Sequence, residues 1–185
     1  MEETASAITD RHGAVTGAVA VLRDVTEAVA MAERMAHLAQ YDALTDLPNR
    51  VLLQDRAQLA MAQARREGKS LAVMYLDLDG FKEVNDRLGH DVGDILLVQC
   101  AQRLQAAVRA SDTVCRQGGD EFVVLLPGLD GVEPACLVAR KILVACDAAF
   151  DLAGEPVRVG VSGGIALFPQ HGSTFDELSR HADGA

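Results

Sequence analysis

Apolar positions follow two rhythms along the chain, and the change from one to the other marks its parts. "TASAIT" and "AVTGAVAVL" flank "DRHG", a turn carrying Gly13, so residues 2–27 read as two short strands. Two strands alone are rarely stable, and the segment reads as the end of a domain whose start is missing. "DVTE" then opens a helix, with Asp24 placed to cap it and Glu27 three positions on, in the style of a capping box. Val25, Ala28, Ala32, Met35 and Ala39 follow at spacings of 3, 4, 3 and 4, a short heptad seam. The seam fits pairing with a second copy and equally fits packing on its own domain. Its alanines make it weak by itself.

Pro48 in "LTDLPNR" breaks this helix, and a second runs to about Glu67, stopped by Gly68. "LAVMYLDLD" is a continuous apolar run ending in acids, the mark of a buried strand. "FKEVNDRLG" predicts a short helix ended by Gly89, and Asp91 begins another that reaches about Arg109. "DTVCRQ" and "DEFVVLL", joined by Gly118 and Gly119, predict a hairpin with a Gly-Gly loop. Residues 130–149 predict a helix, "VRVGVSGGIALF" a strand or two, and a last helix begins near Ser173. Helices and strands alternate, yet the central hairpin is antiparallel. The expected fold class is therefore α/β of the α+β kind: a mixed, largely antiparallel central sheet flanked by helices.

Composition narrows the function. At 185 residues with 49% hydrophobic content, the chain can bury a core, and with aromatics at 4% that core rests on Val, Leu, Ala and Ile. The formal net charge of −10 argues against a duplex nucleic-acid binder. It leaves room for a nucleotide, because a divalent cation inverts the local sign. Cys100, Cys115, Cys136 and Cys146 form no CxxC pair and no zinc spacing, so reduced thiols in a cytoplasmic protein are expected. The longest apolar run near the N-terminus is too short to span a bilayer and lacks a basic flank, so neither membrane contact nor a signal peptide is expected of this chain.

Candidate chemistry sits at strand ends. Asp77 and Asp79 end their strand on one side by period 2. Asp120 and Glu121 stand at the glycine turn, whose unshielded N–H groups can approach a phosphate. If the two strands are neighbours, Asp77 meets Asp120 around one or two Mg²⁺ ions, a metal that takes a few carboxylates plus substrate phosphates. Alone, a Gly-Gly turn is only a turn, and a DxD at a strand end is a solvated loop; their coincidence, with Lys82 close by, points to phosphoryl chemistry. "GKS" at Gly68–Ser70 is no phosphate loop. Gln63 stands where that motif needs glycine, and the segment runs helix to strand. Gly68 reads as a helix C-cap and Lys69 as a solvated residue.

"RQGGDEF" resembles the signature of GGDEF domains, the diguanylate cyclases. "DALTDLPNR" is similar to the family's opening segment, with Asp46 where glycine is usual. "DLDGFKEVNDRLGHDVGD", "VSGGIALFP" and "LSRHAD" extend the resemblance from about Asp42 to the end. It implies a sheet similar to the palm of nucleotidyl cyclases and polymerases. It also implies condensation of two GTP to cyclic di-GMP and two pyrophosphates. Asp77, the Leu78 carbonyl and Asp120 would hold Mg²⁺, with Mn²⁺ as a substitute. Glu121 would either join the metal or assist deprotonation. Lys82 and the Gly80–Phe81 backbone would meet the triphosphate beside Gly118 and Gly119; Gly80 is a small departure from the family pattern. Asn85 and Asp94 would read guanine, since a carboxylate accepts from two guanine donors; by spacing alone, Asp94, three residues after Asp91, would read as a helix cap. Arg109 and Asp112 match an RxxD site that binds product, with Arg140 completing it. Without the family these would be an i,i+3 ion pair and a helix C-terminal charge.

"GAVTGAVAVLRDVTE" resembles the exit strand of a PAS sensor domain and its junction into a signalling helix. The expected organisation is residues 1–26 as the last PAS strands, 27–41 as the linking helix, and 42–185 as a GGDEF domain. The resemblance implies that this domain continues past "HADGA" through a triphosphate-binding lysine and a final strand. Each protomer holds one GTP, so catalysis implies a homodimer. The alternatives are a non-catalytic cyclic di-GMP receptor acting through Arg109, Asp112 and Arg140, and a cyclase for another base, against which Asn85 and Asp94 argue.

Overall fold

A computed structural model describes residues 2–185 of the chain, which divides into two units, Met1–Ala39 and Gln40–Ala185. In the first unit β1 (Glu2–Thr9) and β2 (Val15–Arg23) pair antiparallel. Their turn is set by Asp10, whose carboxylate accepts from the His12 and Ala14 N–H groups at 2.8 and 3.0 Å. Helix α1 (Thr26–Leu38) buries no residue, and Met31, Met35 and Leu38 stand in the open. The expected cap is displaced by one position. Val25 occupies the cap site, and Asp24 instead accepts from the Thr26 N–H at 2.9 Å.

The second unit is three-layered. Its sheet runs in the order β4-β5-β3-β8, from β3 (Ser70–Leu78), β4 (Thr113–Gly118), β5 (Glu121–Leu129) and β8 (Val161–Phe168). The sheet expected to be mixed is antiparallel at every described junction. Strand β3 is central, so both its faces are buried, which is why its sequence is a continuous apolar run. Leu71 and Val73 face a cluster with Leu53, Ala57 and Met61 of α2 (Arg50–Glu67) and Leu178 of α6 (Phe175–Asp183). Ala72, Met74 and Leu78 face the other way, toward Val84 of α3 (Phe81–Leu88), Leu96 and Leu97 of α4 (His90–Ala107), and Ile142 of α5 (Glu133–Asp147).

Helix α2 starts where Asn49 accepts from the Val51 and Leu52 N–H groups, and ends on Gly68 in the left-handed region, the device expected of it. Lys69 remains partly exposed and pairs at the surface with Asp130. Asp91 does not begin α4, which opens one residue earlier, behind Gly89. A short hairpin, β6 (Phe150–Leu152) and β7 (Glu155–Val157), lies where no strand is predicted. Its two-residue loop is Ala153–Gly154, with φ of 56° and 90°. Such a turn is usually announced by Asn-Gly or Asp-Gly, and alanine conceals it. The four cysteines are free, and burial followed by the Asp42 charge pushes the Cys115 thiol up to about 12. Among the described residues no helix is long and apolar enough to cross a membrane.

Candidate active site

Register brings the acids together. Asp77 pairs across the sheet with Glu121 on one side and with Ser162 on the other. Asp77 shares the parity of Val73, and Glu121 that of Val123, so both carboxylates lie on the α2/α6 face of the sheet. There they border a cavity of about 380 Å³, with Tyr75, Gly163 and, from α6, Asp183 among its walls. Asp120 precedes Glu121 in the turn itself. The expected Gly-Gly loop is shifted by one residue: Gly118 pairs with Glu121, so Gly119 and Asp120 make the turn. An irregularity between Arg116 and Gly118 absorbs the extra residue. Gly118 and Gly119 have φ of 151° and 55°, which explains both glycines.

The acids repel one another. Burial, then the charges of Asp120 and Asp79, push the Asp77 carboxyl above the ordinary carboxylate range. Asp79 is turned to β8, where it accepts from the Ser162 hydroxyl at 2.6 Å. Among the described residues no three His, Cys, Asp or Glu side chains form a metal cluster on their own. The oxygen donors of Asp77, Asp120, the Leu78 carbonyl and Glu121 are nonetheless of the kind a hard divalent cation takes, together with phosphate oxygens. Lys82 is exposed on the first turn of α3 and has no ion-pair partner among the described residues.

Asn85 has a buried amide oxygen with no hydrogen-bond partner. It lies so close to Gly93 that a Cβ there would sit 1.9 Å away. Glycine is therefore what allows α3 and α4 to approach with Asn85 between them. Asp94, one residue on, is exposed. Helix α4 has Gly89 at its N-cap and no side-chain cap hydrogen bond, so the capping reading of Asp94 does not hold.

Two residues that sequence reasoning passed over hold the turn. Arg116 donates from Nη1 to both Asp42 carboxylate oxygens at 3.0 and 3.1 Å, and from Nε and Nη2 to the Gly119 carbonyl at 3.0 and 2.8 Å. Asp42 also accepts from the Thr45 N–H and hydroxyl at 2.9 and 2.7 Å. Burial works against the Asp42 charge, but Thr45 and Arg116 outweigh it and hold the carboxyl below its ordinary range. "DALT" is thus fastened to "RQGG". An arginine three residues before a turn glycine, with an Asp-x-x-Thr segment elsewhere, was the available signal. Asp46 stands at φ of 58° in that segment, the conformation that favours glycine.

Arg109 and Asp112 lie at the other end of β4. The carboxylate accepts from the Arg109 backbone N–H at 2.9 Å, not from its guanidinium, so the ordinary ion pair is not formed. Arg140 is exposed on α5, and no hydrogen bond or ion pair joins it to Arg109 or Asp112 among the described residues.

A family model described as "Diguanylate cyclase, GGDEF domain" matches residues 39–185. The chain belongs to the GGDEF family of diguanylate cyclases. It is 46% identical over 151 residues to the bifunctional diguanylate cyclase/cyclic di-GMP phosphodiesterase MucR of Pseudomonas aeruginosa, covering 82% of this chain and 22% of MucR. The chain therefore spans less than a quarter of that relative's length. The crystal structure of the GGDEF domain of TpbB, from the same organism, is 42% identical with a TM-score of 0.75, covering 76% of this chain and 88% of that one. The GGDEF domain of DgcB from Caulobacter crescentus, solved in complex with c-di-GMP, is 27% identical with a TM-score of 0.70, covering 80% and 87%. The α+β fold with an antiparallel sheet is that of these GGDEF neighbours.

Proposed function

We propose that the Gln40–Ala185 unit condenses two GTP into cyclic di-GMP and two pyrophosphates, with Mg²⁺ as cofactor. The observation that carries this reading is the pairing of Asp77 with Glu121 beside the Asp120 turn. Asp77, Asp120 and the Leu78 carbonyl would hold the metal, which when bound supplies positive charge to the phosphoryl oxygens. Lys82, with the Gly80–Phe81 and Gly118–Gly119 backbone, faces the charge that builds on the phosphate. The 3′-oxygen of one GTP bonds to the α-phosphorus of the other as the bond to pyrophosphate breaks. Glu121 either ligates the metal or receives the 3′-hydroxyl proton. Asn85, through its unpartnered oxygen, and Asp94 take the guanine donors.

Each unit offers one such site, so two must face each other in a homodimer. The exposed α1 seam supports pairing of two copies, and residues 1–26 and 27–41 fit a PAS end and a signalling helix ahead of a domain at 42–185, in the cytoplasm. Product would return to Arg109 and Asp112, with Arg140 as a further ligand, and slow the enzyme.

The test is incubation with GTP and Mg²⁺ followed by separation of the nucleotides, alongside Asp120→Ala. Cyclic di-GMP from the wild type alone supports the cyclase. No product from either, with binding of cyclic di-GMP abolished by Arg109→Ala, would replace it with a receptor, the reading favoured by the c-di-GMP complex of the DgcB domain.

A further inference from the structure

We propose that Arg56 is a ligand of the Arg109–Asp112 site, acting where Arg140 is not in contact; this rests on the product-binding reading above. The two residues line a recess of about 240 Å³, and Arg56 of α2 lines the same recess. Pro48, Gln105 and Thr113 complete the lining that matters here. The recess joins two parts of the chain distant in sequence, Pro48 with Arg56 and the stretch from Gln105 to Val114, which is why the RxxD spacing alone does not disclose it.

The position of Arg56 is fixed. Its Nη1 donates to the Thr113 hydroxyl at 3.1 Å, and Thr113 is 5% exposed, the one buried polar residue among the described residues. Arg56 itself is half-buried. One donor of the fork is therefore engaged and the rest are free, and no carboxylate pairs with Arg56 among the described residues. Arg109 is in the same condition, because Asp112 takes its backbone N–H instead of its guanidinium. Two guanidiniums and one carboxylate leave the recess with one positive charge in excess, enough for one phosphodiester. The Asp112 carboxylate retains lone pairs for the N1 and N2 donors of a guanine. A planar fork held by a buried hydroxyl loses little freedom on binding phosphate, unlike a lysine.

Binding of cyclic di-GMP is measured by calorimetry on the whole chain, without GTP and with divalent cations chelated, so that the metal-bearing end is silent. Arg56→Ala is expected to weaken binding about tenfold or more, comparable to Arg109→Ala, and to flatten the dependence of affinity on ionic strength. Arg56→Lys, which keeps the charge and loses the fork, is expected to weaken it severalfold with an unchanged melting temperature. That variant carries the test if Arg56→Ala folds poorly. Wild-type affinity and salt dependence in both Arg56 variants, with Arg109→Ala and Asp112→Asn impaired, would overturn the role of Arg56 and leave the product site standing. No binding by wild type, or unchanged binding in Arg109→Ala and Asp112→Asn, would remove the product site itself and this inference with it.

Discussion

The two ends of β4 carry opposite chemistry on one continuous strand. At the Gly118 end, Asp120 and Glu121 stand beside Asp77, whose carboxyl is raised by burial and then by the charges of Asp120 and Asp79. At the Thr113 end, Arg56 and Arg109 stand without carboxylate partners around Asp112. Midway, Arg116 is fully committed, to Asp42 and the Gly119 carbonyl. The contrast teaches how to separate structural charge from functional charge. A charge the fold needs is matched within the fold. Under the function proposed above, a charge left unmatched in a recess would be matched by something that arrives, a metal at one end and a phosphate at the other.

The largest effect is expected from Asp77→Ala, which removes a carboxylate assigned to the metal in the proposed function. Cyclic di-GMP formation should fall on the order of a thousandfold, while calorimetric binding of cyclic di-GMP stays at the wild-type level, as for distant sites. Loss of both would break the independence of the two ends. Arg116→Ala comes next. It strands a carboxylate that is 21% exposed, so urea unfolding should show a loss of about 3 kcal/mol at neutral pH. The sign with pH follows from Asp42, whose folded carboxyl lies below its unfolded one. Its contribution is present above about pH 4 and drains away as the pH falls through the lower folded value. The wild-type advantage over the variant should therefore shrink in acid; a constant difference would mean that Asp42 is not the partner that matters.

Gly93→Ala should be milder. Its methyl group displaces Asn85, so KM for GTP should rise about tenfold, the worth of roughly one good hydrogen bond to a base, with the melting temperature lowered only a little. The smallest effect belongs to Asp46→Gly, which relieves a left-handed conformation but loosens the unfolded chain; stability should change by less than about 1 kcal/mol. A large drop would show that the Asp46 side chain helps to hold the turn.

Much of this was legible in the order of residues. The buried strand ending in Asp77, the hairpin after it and the Gly68 cap of α2 are local patterns, and local patterns are what a sequence displays. The shifted turn was not legible, because the bulge near Gln117 depends on how β4 meets β5. The β6–β7 hairpin hid behind an alanine at positive φ. Lys69 pairs with Asp130, and Arg116 with Asp42, across intervals that no periodicity spans. The recess at Arg56 has the same origin: its walls come from the start of α2 and from the stretch between the end of α4 and the start of β4, and only packing brings the two side by side.

The central place of β3 has a consequence for how the molecule opens. Its amides are hydrogen-bonded into β5 on one edge and β8 on the other, and both its faces lie under helices. Deuterium should enter Val73 and Met74 only when the whole Gln40–Ala185 unit comes apart. The acid at the end of that strand is thus mounted on the slowest-breathing segment of the unit, and fraying of the outer helices leaves its bearing unchanged.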